Sequence, residues 1–323
     1  MAAAGNISTP SQEGLDPNLW KYVVYIVEGG VTAIGNLPIF LTVFYHGGLR
    51  CQKVYLVIAF LALADFLNGL CYCIAGQYRT WLVIKGQQHD KVTAWGCMMS
   101  PPNMLWVFVE PLAALMLLVI SVDRSIMVLR PINYINFNPS YGYKLCGGAY
   151  LYCFVTGSVG YIFSYLEGDS QLYLKVCFTS YAVGPIYYIY YGYSRVTFAF
   201  ASVVVYALLM AVYVKKQETV VSPLNPFMKR QLKSQRKFTK SLAICCLFTL
   251  LLFVLPSAVA NTVNLLGLKG ALPTSVPMFG WLLANLNPIT NLFIYLARHK
   301  EVRVGMMALL KRKTLPEDTR LWT

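Results

Sequence analysis

Residues 54–76 read Val-Tyr-Leu-Val-Ile-Ala-Phe-Leu-Ala-Leu-Ala-Asp-Phe-Leu-Asn-Gly-Leu-Cys-Tyr-Cys-Ile-Ala-Gly, a run with one carboxylate, Asp65, and no basic residue. A bilayer core about 30 Å thick needs roughly 20 mostly apolar residues at 1.5 Å of helical rise each. This stretch has that length, and it is one of seven, at about 22–45, 54–76, 97–122, 143–165, 183–214, 241–266 and 275–297. The third is interrupted near its outer end by Ser100-Pro101-Pro102-Asn103. Composition agrees with a membrane chain. Of 323 residues, 57% are hydrophobic and only 12% charged, whereas a soluble domain carries about 25% charged residues. An ordinary cytosolic enzyme is excluded, and so is disorder, which requires low hydrophobicity. The expected fold class is an all-α membrane protein. Residues 1–21 form an N-terminal segment, 22–297 a seven-transmembrane helix bundle, and 298–323 a short amphipathic eighth helix and tail.

The net charge of +14 raises the possibility of a nucleic-acid partner. The placement of the charges removes it. With the N-terminus outside, cytoplasmic segments hold 20 Lys and Arg, outer segments hold 6 (Lys21, Arg79, Lys85, Lys91, Lys175 and Lys269), and Arg195 lies within a span. That asymmetry is the positive-inside bias, and it sets an orientation with the N-terminus outside and the C-terminus cytoplasmic. The partner for the excess charge is then the anionic inner leaflet. No Lys or Arg occurs in the first twenty residues, so the first span is expected to serve as its own anchor. Asn6-Ile7-Ser8 is a glycosylation acceptor on the outer side. Between spans five and six, the basic run from Lys229 to Lys240 reads equally as positive-inside charge or as a protein-docking surface. After the last span, Val302, Met306, Leu309 and Leu310 recur at helical spacing beside Arg303, Lys311, Arg312 and Lys313, the pattern of an interfacial helix.

Ser121-Val122-Asp123-Arg124-Ser125 closes span three, with Pro131 seven residues after the arginine. Gly35-Asn36 lies in span one, Leu63-Ala64-Asp65 in span two, and Asn287-Pro288-Ile289-Thr290-Asn291 through Tyr295 ends span seven. In order and on the expected sides, these segments resemble the signature motifs of rhodopsin-like G-protein-coupled receptors. Ser125 replaces the family's tyrosine, and the span-seven proline sits one turn early. Span six keeps the kink proline, Pro256, but not the family's tryptophan. These departures, with the Arg298-His299-Lys300-Glu301-Val302-Arg303 tail, look like a nematode-type serpentine chemoreceptor of the Srsx class.

The resemblance implies a plasma-membrane receptor, not an enzyme, that transduces binding of an extracellular ligand, a small chemosensory cue or a peptide, to a heterotrimeric G protein. It implies an activation switch made by Asp123 and Arg124, with Tyr206, Pro256, Asn291 and Tyr295. It implies a buried polar cluster of Asp65, Asn36, Asn287 and Asn291, which in the family binds a sodium ion at rest. Here Ala113 stands where a hydroxyl residue would help, and a protonated or water-bonded Asp65 holding helices together is an equal alternative. No other cofactor or metal is expected. Cys97 lies 27 residues before Arg124, two more than the family spacing. It is expected to bridge to Cys177 on the same oxidising side, with Cys71 and Cys73 as competitors.

Glu110 and Arg195 both fall deep in the bilayer, where a lone charge is costly. They are expected to pair across spans three and five as the floor of a ligand pocket, with Trp106 and Tyr191 beside them; a purely structural bridge is the other reading. Trp106, one turn before Glu110, occupies the place of the aspartate in amine receptors. Tyr181, Tyr187, Tyr188, Tyr190, Tyr191 and Tyr193 divide between an interfacial belt and the interior. Other membrane classes lack their marks. Span seven has no lysine for a retinal Schiff base, and the chain shows neither paired half-sequences nor a filter loop. His46, His89 and His299 lie outside the spans, which leaves no His-based dyad or metal cluster. A seven-helix receptor or scaffold that does not couple remains the alternative function.

Overall fold

In the computed structural model, residues 19–168, 171–216, 243–265, 271–298 and 300–311 are described. All seven apolar stretches are helical: α1 (Leu19–Tyr45), α2 (Lys53–Ile84), α3 (Pro101–Leu129), α4 (Ser140–Glu167), α5 (Pro185–Lys216), α6 (Ala243–Val263) and α7 (Ala271–Arg298). Six of them, α1 to α6, are long and apolar enough to cross a membrane, and α7, with 28 residues, has spanning length. An amphipathic α8 (Lys300–Leu310) follows. Asn6 and the run from Lys229 to Lys240 lie outside the described residues.

Helix ends follow local chemistry, and two differ from the expected limits. α2 continues two turns past Gly76, because Gln77 through Ile84 contain neither Gly nor Pro. It stops where Gly86 adopts φ +67° and the Gly86 and Gln87 amides return to the carbonyls of Val83 and Leu82 (3.0 and 2.9 Å), a Schellman closure that suits glycine. Arg79 is therefore inside the bundle rather than in an outer loop. The expected third span, 97–122, is also shifted. Pro101 and Pro102 take the first positions of α3, where no amide hydrogen is required, so Cys97 belongs to a separate short helix, Ala94–Met98. Thr93 caps that helix by accepting from the Gly96 amide (3.1 Å). In α6, Leu250–Val254 is π-helical immediately before Pro256. The proline ring collides with the carbonyl four residues back and supplies no amide hydrogen, so the ladder widens there.

On the outer face, β1 (Lys91–Thr93) and β2 (Leu172–Leu174) pair antiparallel, with Val92 opposite Tyr173. The sequence patterning did not indicate this two-stranded strap. The disulfide Cys97–Cys177 fastens it to the top of the bundle, with Cα atoms 5.0 Å apart. Cys71 and Cys73 are free thiols.

The bundle exposes apolar side chains and buries the charged ones within its apolar core. Ile34 is 78% exposed and Leu166 72%, whereas Asp65, Glu110, Asp123, Arg124 and Arg195 are all buried. In water such a surface would aggregate; in lipid it is the favourable arrangement, because charge belongs in the bundle interior. Without a hydrophobic drive between helices, close backbone approach supplies contact. Between α1 and α2 that approach is set by glycine: a Cβ on Gly69 would lie 2.7 Å from the Ala33 nitrogen and from the Gly29 carbonyl oxygen. Gly30, one residue along, has nothing within 4 Å of a built Cβ. Replacing Gly69 by leucine should therefore cost about 1–3 kcal/mol by overpacking and lower the melting temperature of the purified protein, while Gly30→Leu should melt like the parent. Equal melting of the two variants would contradict this account of the α1–α2 contact.

Candidate functional site

The inner end of α3 holds the most tightly arranged group. Arg124 donates through Nε to Asp123 Oδ2 (2.9 Å) and also through Nη2, and both residues are fully buried. The short helix Pro131–Asn136, started by Pro131, brings Tyr134 over the pair. Arg124 Nη2 donates to the Tyr134 hydroxyl (2.7 Å), which in turn donates to Asp123 Oδ1 (3.1 Å). Burial pushes the Tyr134 phenol upward, outweighing the nearby Arg124, so it keeps its proton and can donate. Lys53, the first residue of α2, closes the carboxyl end of this short helix by donating to the carbonyls of Tyr134 and Ile135, the latter at 3.1 Å. Lys53 also lies 4.8 Å from the Tyr134 ring. Tyr206 and Tyr295 are buried in the core cluster that contains Met116 and Ile120 of α3.

Half-way along the bundle, Asp65, Asn36, Asn287 and Asn291 are all buried. Asn36 turns its amide to its own helix, donating to the Thr32 carbonyl (2.9 Å), and Asn287 accepts from Thr249 of α6 (3.1 Å). Four oxygens have no hydrogen-bond partner among the described residues: Asp65 Oδ2, Asn36 Oδ1, Asn68 Oδ1 and Asn291 Oδ1. Buried acceptors without donors call for water, a proton or a cation. Of these, Asp65 and Asn68 line one cavity, and oxygen donors that include a carboxylate suit a hard cation.

Nearer the outside, Glu110 of α3 and Arg195 of α5 form a buried ion pair, and the Tyr191 hydroxyl donates to the other Glu110 oxygen. The Tyr191 oxygen is also 3.4 Å from the Trp106 carbonyl. The Arg195 guanidinium carbon lies 5.5 Å from the Tyr191 ring, 5.8 Å from Trp281 and 6.0 Å from Phe253. Rings from α5, α6 and α7 thus surround a cation whose counter-charge is on α3. The tyrosines at the start of α5 divide by helical face: Tyr187 and Tyr191 are buried, while Tyr190 and Tyr193 are each 42% exposed toward lipid.

One cavity joins the two polar levels. Glu110, Arg195, Tyr72 and Trp281 line its outer part, and Asp65, Asn68 and Asn287 its inner part. It offers about 40 Å³ to the centres of water-sized spheres. A single water needs about 10–15 Å³ on that measure. The space therefore takes a few waters or an ion, and a larger ligand requires the helices to part.

Tyr134, Lys53, Trp281, Phe253 and Asn68 were not singled out from sequence. The proline that starts the short inner helix was visible, but the face on which it sets Tyr134 was not. Trp281 stands one turn before Asn285 on α7, and only the assembled bundle aims it at Arg195.

The family model described as serpentine type 7TM GPCR chemoreceptor Srsx matches residues 30–310, which includes all eight helices in whole or in part. Comparison with individual curated proteins returned no match.

Replacing Tyr134 by phenylalanine removes one donor to Asp123 and one acceptor from Arg124 while keeping the ring over Lys53. The expected loss is about 1.5–3 kcal/mol, the range for a hydrogen bond to a charged group, read as a lower melting temperature in detergent. Unchanged melting would mean that the hydroxyl does not restrain the pair.

Proposed function

Because the chain belongs to the Srsx family of serpentine seven-transmembrane chemoreceptors, we propose that it binds an extracellular ligand between its outer helix ends and transmits that event to a heterotrimeric G protein. The observation that carries this reading is that one helix, α3, holds both polar centres. Glu110 and Arg124 are fourteen residues apart, or roughly 21 Å at helical rise. At the outer centre Glu110, Arg195, Tyr191 and Trp106 form the floor of the ligand pocket. At the inner centre Tyr134 and Asp123 restrain Arg124.

Binding energy reaches the inner end only if the ligand favours one helix arrangement over another. The π-helical stretch before Pro256 is a ready place for α6 to change direction, since a ladder already widened is easily repacked. On release from Asp123 and Tyr134, Arg124 turns toward Tyr206 and Tyr295 and opens the inner mouth to its protein partner. Asp65, Asn287 and Asn291 would hold an allosteric sodium ion, which would supply a positive charge favouring the closed arrangement. The N-terminus lies outside and the C-terminus in the cytoplasm, as the positive-inside charge supports.

Replacing Arg124 by alanine should reduce nucleotide exchange on the coupled G protein to background, while ligand binding at the outer face stays within about threefold of the parent, since the two centres are roughly 21 Å apart. The measurement is guanine-nucleotide exchange in membranes with a promiscuous G protein, normalised to receptor at the surface. Undiminished exchange by a well-expressed Arg124→Ala protein would contradict the mechanism. No exchange by the parent under any ligand would favour a receptor or scaffold that does not couple.

A further inference from the structure

Three arginines are buried in the described bundle, and two of them have a carboxylate: Arg124 has Asp123, and Arg195 has Glu110. The third, Arg79 near the outer end of α2, is only 1% exposed and has no ion pair among the described residues. Glu28 of α1 is engaged by Asn285 (3.3 Å). Arg79 donates through Nε to the Val176 carbonyl (3.0 Å) and through Nη2 to the Cys177 carbonyl (3.3 Å), both in the disulfide-fastened outer strap. Among the described residues its Nη1 has no partner, and neither does the indole Nε1 of Trp106, which is 0% exposed. The Arg79 guanidinium carbon is 5.6 Å from the Trp106 ring and 4.6 Å from Phe178.

We propose that Arg79 Nη1 and the Trp106 indole N–H together receive the anionic head of the ligand, so that the outer pocket takes small carboxylates with an aromatic or aliphatic body. The proposal rests on the receptor function given above. Its chemical basis is the unmatched charge. A desolvated guanidinium facing aromatic rings and two neutral carbonyls lacks a full counter-charge, and an arginine is built to give a carboxylate parallel, charge-assisted hydrogen bonds. Two buried donors on neighbouring groups, neither with a hydrogen-bond partner among the described residues, fit the two oxygens of one carboxylate.

A row of packed aromatic rings links Trp106 to the cavity. Tyr25 and Tyr72 meet edge to face at 5.6 Å, Tyr72 and Trp106 at 4.7 Å, and Trp106 and Trp281 at 6.4 Å. Tyr72 and Trp281 also line the cavity beside Glu110 and Arg195. Neither Arg79 nor Trp106 lines that cavity, so a ligand held by its head at Arg79 lays its body along these rings toward the acid–base pair, one turn deeper, as the helices part. Val176 and Cys177 form the roof, so the strap both orients Arg79 and covers the head group.

The test uses the purified full-length chain in detergent, without a G protein, so that failure of coupling cannot mask it. Probes are acetate, hexanoate, phenylacetate and indole-3-acetate, each against its neutral amide, and sodium chloride against sucrose at low ionic strength. At least one carboxylate should raise the melting midpoint saturably while its amide does not. Trp106→Phe, which keeps the ring, should weaken that carboxylate about tenfold, the effect of losing one hydrogen bond to a charged group. Arg79→Gln should abolish the response. Should Arg79→Gln fail to fold, the Trp106→Phe series decides alone. Carboxylates that behave like their amides, carboxylate binding unaffected by Trp106→Phe, or saturable stabilisation by chloride alone would overturn the assignment. A neutral ligand driving nucleotide exchange equally in the parent and in Arg79→Gln would also overturn it, while leaving the receptor function standing. Carboxylate binding without exchange on any G protein would overturn the receptor function and leave the anion site.

Discussion

Charge inside a membrane bundle has to be neutralised by the bundle itself, and the Glu110–Arg195 pair is where that constraint is most demanding. Neither residue can reach bulk water from its depth, so each requires the other. The pair fixes α3 against α5. Tyr191 then completes the hydrogen bonding of Glu110, and Trp281 and Phe253 present ring faces to Arg195. Four helices thereby converge on one ion pair. A buried pair is weak evidence for stability in itself, since apolar residues of similar volume often serve as well. We tie its presence in an apolar bundle to specificity of arrangement and, as proposed above, to ligand recognition.

The same constraint orders the rest of the interior. At the inner end Asp123 neutralises Arg124, and Tyr134 adds a hydrogen bond to each. In the middle Asp65 has an oxygen with no donor, and the cavity leaves room for water or an ion beside it. At the outer end Arg79 has carbonyls and rings but no acid among the described residues. Arg124 and Arg195 are each matched by a carboxylate, whereas Asp65 and Arg79 have no ion pair among the described residues and each keep a polar atom without a partner there.

Much of the architecture was legible in the sequence because bilayer thickness translates directly into run length. The seven spans, the amphipathic Val302–Leu310 stretch and the Cys97–Cys177 bridge all appear. Where limits shifted, residue chemistry explains the shift: hydropathy ends at Gly76, but the α2 backbone has no reason to stop before Gly86. That is why Arg79 looked like an outer-loop charge. Depth along each helix placed Glu110 beside Arg195 correctly, since both lie at similar depth on neighbouring spans. Rotation about each helix axis was not legible. Tyr134 over Arg124, Trp281 over Arg195 and Trp106 beside Arg79 depend on which way each helix faces, and a 3.6-residue period without a solvent side cannot report that. The β1–β2 strap was missed because three-residue strands carry too little pattern to distinguish from loop.

The central claim is that Glu110 and Arg195 act as one unit that joins α3 to α5. A double-mutant cycle on Glu110→Gln, Arg195→Gln and the double neutral variant, read by thermal unfolding of the purified protein, addresses it directly. Each single change leaves a buried charge without its partner and should cost about 3–5 kcal/mol, whereas the double variant should recover most of that loss. Additive losses, or single variants as stable as the parent, would contradict the account.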